Sequence, residues 1–230
     1  MRPLALLATL FIAATAAAQS ATLTQITVTG EGSVAVTPDQ ATVRASIETT
    51  AERAQDAVSQ SNTTYAGVVR AVLASGVARS DITLAYYNLT YNPRPQPVPN
   101  EPAPVGRFGY TVTRTFDVKV RDLNKTGTVV DALSTAGVTN VESVTFTASN
   151  TAHARTEATT KAMADARAKA QDAARAAGLH ISGVKRITLG GAAMVQPLMR
   201  AATMAAAPTV FDQGSVNVNA SLTVVFLAQP

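Results

Sequence analysis

The chain has 230 residues, with 19 Lys+Arg against 15 Asp+Glu and neither Cys nor Trp. Without cysteine there are no disulfides, thiol nucleophiles, iron–sulfur clusters or Cys-based zinc sites, and two His leave little for a His-rich metal centre. Hydrophobic residues at 47% exclude a disordered polyelectrolyte, and 5% aromatics argue against stacking platforms for bases or sugars.

The N-terminus runs Met1-Arg2-Pro3, an apolar stretch from Leu4 to Ala14, then Thr15-Ala16-Ala17-Ala18-Gln19. A basic start, an apolar stretch and an A-x-A site predict a secretory signal peptide over 1–18, cleaved after Ala18. The apolar run is shorter than the ~20 residues that cross a bilayer, which favours cleavage over anchoring. Periplasm or cell envelope is the expected location. Cleavage removes Arg2, and the remaining Lys and Arg are scattered without a run of three. Binding nucleic acid needs a clustered positive face, so no nucleic-acid partner is expected. The Asn-x-Ser/Thr matches at Asn62, Asn88, Asn124 and Asn219 are read as chance in a Thr-rich bacterial chain.

Residues 19–24 read as a flexible lead and 25–228 as the folded part. Ile26–Thr29 is a predicted strand, Gly30-Glu31-Gly32 a turn with glycines at positive φ, and Val34–Val36 a new strand start. Ala41–Thr49 alternates apolar and polar residues, the mark of a half-buried antiparallel strand. The spacing predicts a helix over Ala51–Ser75, with Ala54, Ala57, Val58, Ser61, Tyr65, Val68, Val69, Val72 and Leu73 forming one stripe and Gly76 past its end. Asp81–Tyr91 is a strand whose apolar phase shifts between Tyr86 and Tyr87. The shift predicts a bulge or a strand buried on both faces.

Residues 92–105 carry Pro93, Pro95, Pro97, Pro99, Pro102 and Pro104, so this stretch is a loop with polyproline character. Gly109–Arg121 alternates again. Leu123–Ala136 is a second helix with Gly137 past its end, and Val141–Ala148 a further strand. Ala154–Ala177 is the clearest helix, with alanines at 158, 162, 166, 170 and 174, favourable Glu157–Lys161 and Asp165–Lys169 pairs, and Gly178 to stop it. Val184–Leu189 and Ser215–Leu227 are strands, the latter a candidate exposed edge. Between them, 190–208 is a Met/Ala-rich loop carrying Met194, Met199 and Met204.

The order ββ-α-ββ-α-β-α-ββ predicts an α+β fold, with antiparallel-rich sheets and three main helices packed on them. The Pro-rich stretch near residue 100 divides two α/β halves.

No motif for catalysis stands out. Gly30-x-Gly32-x-x-Ala35 matches a loosened dinucleotide fingerprint, but a strand follows where that motif needs a helix. G-x-S-x-G, Walker, H-E-x-x-H and EF-hand patterns are missing. His153 and His180 fall at helix ends, and Glu52, Asp56, Glu157, Asp165 and Asp172 on helix surfaces. The expectation is no catalytic residue, no cofactor and no metal. Two segments are weak candidates for interaction: Pro93, Pro95, Pro97 and Pro99 as a docking arm, and Met194, Met199 and Met204 as a contact surface or oxidant sink. Thioethers also bind Cu(I), but a spacing of five residues does not set three of them on one helix face.

Several phrases recur in order: Val28-Thr29-Gly30-Glu31-Gly32 with Pro38-Asp39-Gln40-Ala41, Ala74-Ser75-Gly76-Val77 before Ser80-Asp81-Ile82, Gly109-Tyr110-Thr111-Val112 leading to Val118-Lys119-Val120-Arg121-Asp122-Leu123, Val144-Thr145-Phe146, and the alanine helix from Glu157 to Gly178-Leu179. Together they resemble the SIMPL-domain family of exported bacterial proteins, of the periplasmic immunogenic and oxidative-stress defence type. The resemblance implies an α+β envelope protein without established catalytic residues, a homo-oligomer in at least one member, and a role in oxidative or envelope stress defence. It gives no residue roles to carry across. The expected partner is a second copy of the chain, with contact to an envelope or outer-membrane surface as a further expectation. A ring- or pore-like binding module remains an alternative, and a hydrolase of envelope carbohydrate or peptide a more distant one.

Overall fold

The computed structural model describes residues 23–94, 106–190, 211 and 214–230, with the backbone of 195–197. Among them the chain forms β1 (Thr24–Val36), β2 (Gln40–Ala51), α1 (Ala54–Ala74), β3 (Ile82–Asn92), β4 (Gly109–Val120), α2 (Thr126–Thr135), β5 (Asn140–Thr147), α3 (Ala152–Ala176), β6 (His180–Leu189), β7 (Val195–Pro197) and β8 (Val216–Gln229). The α+β class and the element order are those read from the sequence. The predicted signal peptide and lead up to residue 22, Pro95, Pro97, Pro99, Met194, Met199 and Met204 lie outside the described residues.

The strands form two antiparallel sheets. One has the order β1-β8-β6, with β7 on β8; the other has the order β3-β4-β2-β5. The division therefore does not fall near residue 100. β3 and β4, on either side of the Pro-rich stretch, pair in one sheet, while β1 pairs over its whole length with the C-terminal β8. Strand β8, expected as a candidate edge, is instead the centre of its sheet. Its even-numbered residues Val218, Leu222, Val224 and Phe226 are buried, and β1 and β6 occupy its two sides.

Each sheet has its own core. On the β3-β4-β2-β5 sheet, Val43, Ala45, Ile47, Phe116 and Val118 meet Val68 and Val72 of α1 and Val129 and Leu133 of α2. Of the stripe predicted for α1, Ala57, Ser61, Val68 and Val72 are buried and Tyr65 and Val69 pack half-buried on the same core, while Leu73 at its margin is exposed. Helix α3 instead uses its four-residue alanine stripe, with Ala158 completely buried and Ala162, Ala166 and Ala170 completely buried against Leu222, Val224 and Phe226.

That close approach explains Gly30 and Gly32. They do not form the expected turn, because β1 runs through them without a break and neither has positive φ. A Cβ on Gly30 would lie 2.0 Å from the Ala162 carbonyl oxygen, and one on Gly32 2.1 Å from that of Ala158. The glycines make room for a helix backbone.

The three helices end in the same way. Gly76, Gly137 and Gly178 adopt φ of 85°, 91° and 69°, a region L side chains avoid. The following N–H groups of Val77, Val138 and Leu179 donate back to the carbonyls of Val72, Leu133 and Ala174. This Schellman closure is what the Gly-Val and Gly-Leu pairs in the sequence encode.

Candidate functional site

The polar groups with displaced titration have structural partners. The hydroxyl and backbone N–H of Ser149 hold the Asp39 carboxyl below its usual range. Lys169, with the Glu31 N–H, does so for Asp165. At the start of β3, Arg121 donates two hydrogen bonds to Asp81, at 2.7 and 2.9 Å. Those bonds lower the Asp81 pKa against the opposing effect of burial, and raise that of Arg121. Lys119 and Lys125 line the same hollow, of about 190 Å3. These carboxyls sit on three different elements, each satisfied in place, and no two converge on a common cleft. Among the described residues no group of three or more His, Asp or Glu is placed to hold a metal ion. His153 is exposed at the start of α3, and His180 lies 3.3 Å from the Gln229 amide.

The Asp81–Arg121 pair predicts a pH dependence. The folded-state pKa of Asp81 is lowered, so its contribution is complete above the ordinary carboxylate value of about 3.9 and is lost as pH falls through the lowered one. Asp81→Asn is expected to lower Tm by a few degrees at neutral pH. In thermal melts the gap between variant and parent should narrow progressively as pH falls below about 3.9.

The i,i+4 pairs on α3 do more than support a helix. Lys169 Nζ donates to the Thr29 carbonyl at 3.1 Å, Asp165 accepts from the Glu31 N–H at 2.9 Å, and Lys161 Nζ donates to the Ser33 carbonyl at 3.4 Å. These are backbone groups of β1, the edge of its sheet. Alternate unpaired groups along that edge are thus capped by charged side chains, and the edge is closed to further pairing.

The opposite situation holds at β3. It too is an edge strand, pairing only with β4 among the described residues. Register with β4 puts Leu84, Tyr87, Leu89 and Tyr91 on the helix-bearing face, opposite Phe116, Arg114, Val112 and Tyr110. Helix α1 lies over β2 and β4 and stops short of β3. Leu84, Tyr87, Leu89 and Tyr91 are in consequence between 41% and 57% exposed, and Tyr86, opposite Thr115 on the other face, is 54% exposed. The phase shift at Tyr86 is a bulge, since the register slips between Leu84 and Tyr86. The strand is not buried on both faces; only Ile82 is buried.

All 5 tyrosines of the chain gather here. Arg114 is stacked between two of them, its guanidinium carbon 4.6 Å from the Tyr65 ring centre and 5.1 Å from that of Tyr87. Its Nη2 donates to Asn62 at 2.8 Å. Tyr65 in turn meets Phe116 edge-on at 5.5 Å, so the ladder runs from the sheet core to the exposed strand. Tyr91 packs on Tyr110 with ring centres 4.9 Å apart. Tyr and Arg are the residue types enriched at protein interfaces, and the chemistry available is recognition rather than proton transfer.

Sequence reasoning missed this edge. A low aromatic total says nothing of where the aromatics fall. The available signal was local: Ile82–Asn92 contains three Tyr and no charged residue or proline. Of the predicted interaction residues, Pro93 is described, exposed and immediately beyond β3.

Known proteins match nearly the whole chain. Two 26 kDa periplasmic immunogenic proteins, from Brucella melitensis and Brucella abortus, are each 29% identical over 215 residues, covering 88% of this chain and 84% of the relative. The profile of the SIMPL family, described as a protein of unknown function (DUF541), matches residues 26–226. That span takes in both sheets, all three helices and the tyrosine edge, and the chain belongs to the SIMPL family.

Proposed function

We propose that this is an exported periplasmic protein that works by self-association rather than catalysis, in support of oxidative or envelope stress defence. The observation that carries self-association is the uncharged, aromatic edge of β3, whose outer side is unpaired among the described residues. The location is supported by the A-x-A start of the chain and by the periplasmic designation of the Brucella relatives. Among the described residues no helix is long and apolar enough to cross a membrane. The stress role rests on the family resemblance.

Fractionating cells that express the full chain should place it in the periplasmic extract with residues 1–18 removed, and retention in the cytoplasm with an intact N-terminus would overturn the location. Light scattering should give a mass above one chain at high micromolar concentration; a strict monomer would remove self-association. A deletion strain should lose peroxide survival, and unchanged survival would remove the stress role.

A further inference from the structure

The four strands that bound the two sheets are not equally protected. β1 is capped by Lys161, Asp165 and Lys169 of α3. β5 carries Glu142, and β6 carries Lys185 and Arg186 beside its bulges. β3 alone has no charge, and among the described residues the outer side of this 11-residue strand is unpaired. Natural sheets blunt long edges with charge, proline or short length, because an unblunted one pairs with another chain.

We propose that β3 is the seam of a two-fold dimer, in which Tyr86–Asn92 of two copies pair antiparallel about Leu89 and join two four-stranded sheets into one of eight. This rests on the self-association reading above and assigns it a surface. The strand is self-complementary in that register. Tyr87 faces Tyr91 of the second copy, Leu89 faces Leu89, and Asn88 faces Thr90, with each pair on a common face. Asn88 Nδ2 already donates to Thr90 Oγ1 at 2.6 Å within one chain, so the two side chains are suited to exchange. Antiparallel neighbours of this kind are the unit of sheet stabilisation. A two-fold brings every residue near the axis against its own copy. A charged strand would repel itself there; an uncharged one does not.

Area points to the same occupant. A fully buried aromatic covers about 150–250 Å2, so the half-exposed side chains of Tyr86, Tyr87, Leu89 and Tyr91 in the paired stretch together offer about 350 Å2. Paired backbone and the Asn88, Thr90 and Asn92 side chains bring each copy towards the ~800 Å2 of a standard interface. On the helix-bearing face the ledge beside α1 would be filled by Tyr87, Leu89 and Tyr91 of both copies.

The chain has no cysteine of its own, so one introduced thiol reports without background. Residues facing each other across an antiparallel pair have Cα atoms about 4.5–5.5 Å apart, within disulfide range. The signal-free Leu89→Cys variant is expected to form a covalent dimer under mild oxidation. Ile187→Cys, on the exposed β6 edge, should stay uncrosslinked. Leu89→Lys sets two ammonium groups together at the axis and should raise the dimer Kd about 100-fold by sedimentation, with an unchanged far-UV spectrum. If the parent associates while Leu89→Cys fails to crosslink and Leu89→Lys associates as the parent does, the seam is elsewhere and self-association stands. If the parent is monomeric at high micromolar concentration, both fall. Crosslinking of Ile187→Cys as readily as Leu89→Cys would also overturn the assignment.

Discussion

Gly30→Ala should lower Tm by about 6–12 °C, the shift that a loss of about 3 kcal/mol gives a chain of this length. The added methyl would meet the Ala162 carbonyl oxygen at 2.0 Å, the Ala166 Cβ at 2.7 Å and the Ala166 nitrogen at 2.8 Å. Two of these atoms are helix backbone, so no rotamer change relieves the clash. α3 must lift from β1, and with it go the Ala162 and Ala166 contacts to the sheet and the hydrogen bonds from Lys161, Asp165 and Lys169 to the β1 edge. The opposite sign is expected at Gly67 inside α1, where an added Cβ meets nothing within 4 Å. Gly67→Ala gains helix propensity and should raise stability by about 0.5–1 kcal/mol. A pair of thermal melts followed by far-UV circular dichroism checks both. A neutral Gly30→Ala would mean that the glycines are not there to admit the helix.

The contrast between these glycines marks what a sequence can carry. The Gly-Val and Gly-Leu stops after the helices are local: the residue with positive φ and the hydrophobic one behind it lie within six residues of the carbonyls they satisfy. They are legible without any fold. So is the alanine stripe of α3, because a four-residue repeat states its own period. Gly30 and Gly32 are another matter. Their reason lies some 130 residues away in α3, and a Gly-x-Gly alone reads as a turn. Strand β8 alternates cleanly, which says that one face is buried and nothing about whether its sides are paired. The tyrosine edge is hidden for a third reason. Tyr65, Tyr87 and Tyr110 come from three elements, and only the fold sets Tyr65 and Tyr87 on either side of Arg114 and Tyr110 against Tyr91. Composition counted five rings and could not show that four of them share one face of the sheet.

Phe116→Ala is expected to cost about 3–5 kcal/mol, a fall in Tm of about 10 °C or more. Phe116 is completely buried at the centre of β4, against Ala45 across the pair and Tyr65 on α1. Truncation opens a cavity under a sheet strand that is paired on both sides and cannot collapse freely. Phe116→Leu keeps most of the volume and should cost less than about 1.5 kcal/mol. The two variants also separate packing from assembly. Tyr65 leans on Phe116 and supports Arg114, which supports Tyr87 on the open edge. With Phe116 removed, that ladder loses its base. Because every tyrosine lies on α1, β3 or β4 and the chain has no Trp, tyrosine fluorescence and the tyrosine bands of the near-UV dichroism report on this region. Phe116→Ala should change both signals below its melting temperature and weaken self-association, while Phe116→Leu leaves them near the parent values. A Phe116→Ala protein with parental tyrosine signals would show that the edge stands independently of the core beneath it.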